Sequence, residues 1–170
     1  MVAARALVLT LVITLAVVLQ TTLFPYLSYN GVVPNLALLV VVAAALSRGP
    51  EFAAVIGFLS GLAIDLAPPA DHVAGRWALA LVLVGYLAGR LRNDARTSAV
   101  AAILTVAASS FVATSVFALS GMLIGDPAVP VAEALAVIPV SVVYDVALTP
   151  FVLPVMMRLF RRLESHQVAY

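Results

Sequence analysis

The chain contains no cysteine, and only 10% of its 170 residues are charged. Without thiols, disulfides, thiolate metal sites and cysteine nucleophiles are excluded, and the redox compartment leaves no mark on the sequence. Lysine is absent as well, so every basic side chain is an arginine. With 64% hydrophobic residues the chain has too little polar surface for an aqueous domain of this length. Nor is there a long hydrophilic stretch, which excludes a separate enzymatic or nucleic-acid-binding module. His72 and His166 fall on opposite sides of the arrangement derived below and cannot share a metal. The sequence shows no Ser-His-Asp order, no paired acids on one aqueous face, no phosphate-cradling glycine loop and no metal-ligand cluster, so neither catalysis nor a cofactor is expected.

What the chain does have is a series of apolar runs. A membrane-crossing helix needs about 17–25 apolar residues, and on that measure the sequence divides into 5–25, 32–47, 51–67, 75–91, 98–121 and 133–157. This predicts a single all-α integral membrane domain over residues 1–170 with six transmembrane helices. Turn chemistry marks each break: SYNG at Asn30, RGPE at Pro50, APPAD at Pro68, RNDAR at Asp94 and GDPAVP at Pro127. The run after Arg5 exceeds the ~7–15 residues of a signal-peptide core and lacks a small-x-small cleavage site, so it is expected to be a retained first helix.

Arginine placement sets the orientation. Arg5, Arg48, Arg90, Arg92, Arg96, Arg158, Arg161 and Arg162 fall on one set of alternating connectors, and Arg76 alone on the other. By the positive-inside rule both termini are then cytoplasmic. The outer connectors carry Asp71, His72, Asp126 and Glu133, with Tyr26, Tyr29 and Trp77 as expected interfacial anchors.

Within the third segment, Ala53, Gly57, Gly61 and Asp65 recur every fourth residue. Small residues at that spacing let a neighbouring helix approach closely, and an acid at membrane depth is costly enough to face protein or water. Gly85 and Gly89 form a second such pair. The expected role of these rows is a helix-packing and partner face, so that Gly61→Leu should block assembly. Asp65 is read as a structural carboxylate with Arg76 as counter-ion. Asp145, in the last segment, either accepts hydrogen bonds from Ser109, Ser110 or Thr114 or carries a proton. An internal echo, Ser60-Asp65-Pro68 against Ser141-Asp145-Pro150, raises the idea of one two-aspartate site, but the two heights differ by roughly 10 Å at 1.5 Å per helical residue. Pro139, Pro150 and Pro154 are expected to kink the final helix. Arg158, Arg161 and Arg162, interleaved with Leu159, Phe160 and Leu163, suit an interfacial helix end on anionic lipid.

The run from Pro34 to Arg92 resembles the rod shape-determining protein MreD family. The shared pattern is a Pro-Asn-led helix (Pro34, Asn35), an Arg-Gly turn (Arg48, Gly49), the GF-x-x-GL-x-x-D motif (Gly57, Phe58, Gly61, Leu62, Asp65), Gly75, and GYL-x-G (Gly85, Tyr86, Leu87, Gly89). Gln20, Pro25, Tyr144, Pro150 and the basic tail extend the match. The resemblance implies a non-catalytic scaffold subunit of the bacterial cell-wall elongation complex in the cytoplasmic membrane. It also implies an architecture like that of energy-coupling-factor transporter S-components. Implied partners are an MreC-like single-pass protein, MreB, RodA and a class B transpeptidase, besides lipid; no nucleic acid is expected, and a homodimer is left open. The alternative is a small-molecule (vitamin) binding subunit of an energy-coupling-factor type transporter, with Asp65, Asp71 and Arg76 meeting the ligand in an outer cavity.

Overall fold

The computed structural model describes residues 2–29, 31–68, 72–95, 98–125 and 131–164, with the backbone alone for Val2, Asp94, residues 131–135 and Glu164. Of the residues singled out above, Asn30, Asp71, Arg96, Asp126, Pro127 and His166 lie outside the described residues, as does the side chain of Glu133.

Among the described residues the secondary-structure elements are all helical, running through α1 (Val2–Thr22), a short 3-10 turn (Phe24–Leu27), α2 (Leu36–Arg48), α3 (Pro50–Leu66), α4 (Arg76–Arg90), the one-turn α5 (Arg92–Ala95), α6 (Ala99–Ile124) and α7 (Val131–Glu164). The sequence of α2, LALLVVVAAALSR, has no polar face before its last turn, and a helix apolar all round belongs inside a protein. Every residue from Leu36 to Ser47 is buried, and α2 touches α1, α3, α4, α6 and α7. It is the axis of the molecule. The other five long helices stand around it in the order α1, α3, α4, α6, α7, each packed on the next. The ring has a seam between α7 and α1, which share at most a marginal contact.

By length and composition, stretches of α1, α6 and α7 (Ala3–Thr22, Ala99–Ile124 and Ala136–Leu163) can cross a membrane. The 13 helical residues of α2 rise only about 20 Å. Since α2 is surrounded by protein, it need not match the hydrocarbon thickness. Its expected start at residue 32 gives way to an extended lead-in ending at Asn35, whose Oδ1 accepts the Leu38 N–H at 2.9 Å and caps the helix. At its other end Gly49, at φ +95°, takes a backbone conformation suited to glycine, and Pro50 opens α3 at once.

The small-residue rows of α3 and α4 meet each other. A Cβ on Gly57 would overlap the Leu81 backbone, on Gly61 the Ala78 backbone, on Gly85 the Ala53 carbonyl and on Gly89 the Pro50 backbone. These pairs run in opposite directions along the two helices, giving an antiparallel hairpin with its backbones in close approach. The expectation that Ala53, Gly57, Gly61, Gly85 and Gly89 form a partner face is therefore corrected: the two rows are each other's contact, and no room is left between them.

The last helix is also longer than expected. Pro139, Pro150 and Pro154 lie inside one continuous helix, and the basic tail continues α7 rather than following it. Phe160 is fully buried, 6.0 Å edge-to-face from Phe52, over whose ring the Arg48 guanidinium sits at 3.9 Å. This pins the end of α7 to the start of α3, while Arg158, Arg161 and Arg162 are exposed around it. Elsewhere the outer faces are apolar: Leu7, Leu11, Leu15 and Val18 on α1 and Leu79, Leu83 and Leu87 on α4 are all exposed, a surface suited to hydrocarbon.

The hairpin register yields a first prediction. Gly57→Leu and Gly85→Leu should each destabilise the fold by about 3 kcal/mol or more, since the overlap is with backbone that cannot step aside. Leu79→Ala, on the outer face of α4, should stay within about 0.5 kcal/mol of the parent. Thermal unfolding of the purified variants in one detergent would rank them, and a folded Gly57→Leu protein of parental stability would contradict the register.

Candidate functional site

One end of the bundle collects the C-terminal ends of α1, α3 and α6 and the N-terminal ends of α2 and α4. The first turn of a helix leaves N–H groups without intrahelical acceptors, and in a buried position each needs one from elsewhere. The sequence before α4, VAGRW, offers no Ser, Thr, Asp or Asn at the capping position; that place is taken by Gly75 at φ +101°. The acceptor comes instead from α3. Asp65, the fourth member of its row, stands opposite the start of α4 because the hairpin register carries it there. Its Oδ2 accepts the N–H groups of Gly75 at 2.8 Å and Ala78 at 3.1 Å; its Oδ1 accepts that of Trp77 at 3.1 Å and lies 2.9 Å from Nε2 of His72. A carboxylate in this position also complements the positive end of the helix dipole.

Arg76, expected as the counter-ion of Asp65, is directed to α6. Its Nη2 donates to the Phe117 carbonyl at 2.8 Å, its guanidinium lies 3.9 Å above the Phe117 ring, and it covers Gly121, where a Cβ would overlap it. Trp77 is half-buried and stacks on the Phe117 ring itself, with centroids 4.6 Å apart, so it packs against α6 at the same end of the bundle.

Asp145 does for α2 what Asp65 does for α4. Its Oδ1 accepts the Asn35 N–H at 2.7 Å and its Oδ2 accepts the Ser110 hydroxyl at 2.6 Å, so α7, α2 and α6 are joined through one buried carboxyl group. Of the three donors named from the sequence, Ser110 is the partner; Thr114 donates to the Ser110 carbonyl, and Ser109 lines a groove between α4 and α6. From α1, Gln20 completes the cap, its Oε1 accepting the Ala37 N–H at 3.2 Å. The two aspartates thus serve different helix ends and share no hydrogen bond among the described residues. The role of Gln20 was missed, although a lone amide near the end of an otherwise apolar run, VVLQTT, is the signal that could have shown it.

Because α2 stops short, a cavity of about 160 Å³ remains beyond its N-terminus. Gln20, Asn35, Thr114, Ser141 and Asp145 supply its polar lining, Trp77, Phe117 and Val137 its apolar walls, and Gly31, Val32 and Val33 of the α1–α2 connector also border it. Neither Asp65 nor Arg76 lines this cavity, so it is a different place from the outer ligand site expected at Asp65, Asp71 and Arg76, of which Asp71 lies outside the described residues. A second cavity, of about 260 Å³, is an apolar groove at the α7–α1 seam, where Leu36 and Val40 of the central helix are reached between Leu15 and Leu19 on one side and Phe151 and Val155 on the other.

The two caps make separate predictions. Asp65→Ala strands three N–H groups and should lower stability by roughly 3 kcal/mol or more, whereas Asp65→Asn keeps an acceptor and should lose about half as much. Asp145→Ala strands the Asn35 N–H and the Ser110 hydroxyl and should cost about 2 kcal/mol. Unfolding midpoints in detergent would test both, and an Asp65→Ala protein as stable as the parent would contradict the capping role.

No curated protein and no solved structure matches the chain. A family model, that of the rod shape-determining protein MreD, matches residues 2–163, nearly the whole chain and both capping networks. The chain belongs to the MreD family of rod shape-determining membrane proteins.

Proposed function

We propose that this chain is a non-catalytic scaffold in the bacterial membrane complex that elongates the cell wall, crossing the cytoplasmic membrane six times as one domain with both termini inside. The orientation rests on the arginines. Arg48, Arg90, Arg92, Arg158, Arg161 and Arg162 stand at the bundle end opposite the capping networks, where they suit the anionic inner leaflet. The capped end, with its cavity, then faces outward. Helices α3 and α4, too short to cross upright as free helices, lie within a bundle whose outer faces are apolar all round.

The observation that carries the scaffold reading is the seam in the ring. Everywhere else the central helix is covered by a neighbour, but between α7 and α1 its Leu36 and Val40 lie at the bottom of a wholly apolar groove. A groove of this kind in the hydrocarbon region suits one more apolar helix, packing its side chains along Leu15, Leu19, Phe151 and Val155. The family's setting supplies the candidate: a single-pass MreC-like protein, through which the chain would meet MreB, RodA and the class B transpeptidase. The α3–α4 rows, being consumed internally, are not part of this contact.

The test is a photo-cross-linking residue placed at Leu15 or Phe151 in the seam, or at Leu83 on the far side of the ring, followed by mild-detergent recovery from native membranes. Cross-links from Leu15 and Phe151, but not Leu83, to a single-pass coiled-coil protein are the expected result. Recovery instead of a transmembrane coupling subunit with paired ATPases would replace the scaffold by a transporter's binding subunit.

A further inference from the structure

The cavity beyond the N-terminus of α2 has a hydrogen-bonding character set by the caps around it. Gln20 and Asn35 are each about 93% buried, and each spends its side-chain oxygen on a backbone N–H, Ala37 for Gln20 and Leu38 for Asn35. Backbone N–H groups can only donate, so the amide orientations are decided: oxygen toward the helix, NH2 elsewhere. Neither NH2 group has a hydrogen-bond partner among the described residues, and both residues line the cavity. The Ser141 hydroxyl, one helical turn before Asp145, lines it as well and likewise has no partner among the described residues. These three unpaired groups are reached from the cavity itself, so their convergence on one space sets which acceptor that space takes.

We infer that this cavity is a binding site for a small uncharged molecule carrying a carbonyl acceptor beside a flat ring, held by Gln20, Asn35 and Ser141. Charge selects against the other classes. An anion would meet the carboxyl group of Asp145 in the same wall, and a cation would meet the two amide NH2 groups, which can only donate. A neutral carbonyl oxygen satisfies the donors and repels nothing. Trp77, Phe117 and Val137 line the same space and give it an apolar, partly aromatic wall against which a ring packs. Size is the remaining restriction. Cavities for drug-sized ligands start at about 300 Å³, while one of about 150 Å³ in another protein admits benzene; at about 160 Å³ this site accommodates a single ring with its substituent.

The site separates from the caps by isosteric change. Gln20→Glu keeps the oxygen that accepts from Ala37 and replaces only the NH2 group; Ser141→Ala removes a hydroxyl that caps nothing. Benzamide, which carries the carbonyl, and toluene, which has the ring without it, serve as probes, titrated against the full-length protein in lipid nanodiscs by saturation-transfer NMR. Nanodiscs without protein measure partition into lipid. The expected result is saturable benzamide binding to the parent, weakened about fivefold in each variant, as loss of one buried hydrogen bond entails, with toluene showing only the signal of protein-free nanodiscs. Should Gln20→Glu fail to fold, Ser141→Ala reads the same loss. Benzamide binding that does not saturate, that is equal in parent and variants, or that toluene matches would overturn the assignment and leave water as the occupant of the cavity.

Discussion

Every helix that begins inside a membrane protein brings with it N–H groups that neither lipid nor bulk water can satisfy, and this molecule is organised around supplying acceptors to two such beginnings. The start of α4 is held by Asp65 and the start of α2 by Asp145, Gln20 and Asn35. Between them these groups tie α1, α2, α6 and α7 into one network and α3 and α4 into another, while the Arg76 hydrogen bond to Phe117 joins α4 to α6. The polar side chains that look expensive in an apolar sequence are thus what makes its short internal helices affordable.

Close approach of α3 and α4 is the condition for the first network. Only with glycine at 57, 61, 85 and 89 do the two backbones come near enough for a carboxyl group as short as that of aspartate to reach three N–H groups in the first turn of α4 across the gap. The same closeness removes the two small-residue rows from consideration as a docking surface. What remains available lies at the seam, where α1 and α7 leave the axis helix reachable, and at the capped end, where the brevity of α2 leaves a polar cavity. The seam groove and the polar cavity therefore sit on different parts of the molecule, one between α1 and α7 and one beneath the α1–α2 connector.

A good part of this was legible along the chain. Apolar run lengths located every long helix to within a few residues, except that the last extends into the basic tail, because Leu159 and Phe160, interleaved with arginines, continue a helix as readily as they anchor one. The row Ala53, Gly57, Gly61, Asp65 correctly announced close packing, since period four on a helix can only be one face. Its partner was misjudged: small residues report that something approaches, not whether it belongs to the same chain. Arg76 was assigned to Asp65 by height and charge alone, but backbone N–H groups, invisible in side-chain inventories, occupied the carboxylate.

The sequence by itself determined membrane residence, the succession of helices and the side on which arginines gather, because these follow from composition and local periodicity. It also placed the chain near its family through short motifs that are local as well. The tertiary structure alone decided that the shortest apolar run is the central axis, that the ring opens between its first and last members, and that the Asn35 N–H finds its acceptor 110 residues away on Asp145. The physical reason is that a buried donor constrains only that an acceptor must exist; which residue provides it depends on how helices distant in sequence come to lie side by side.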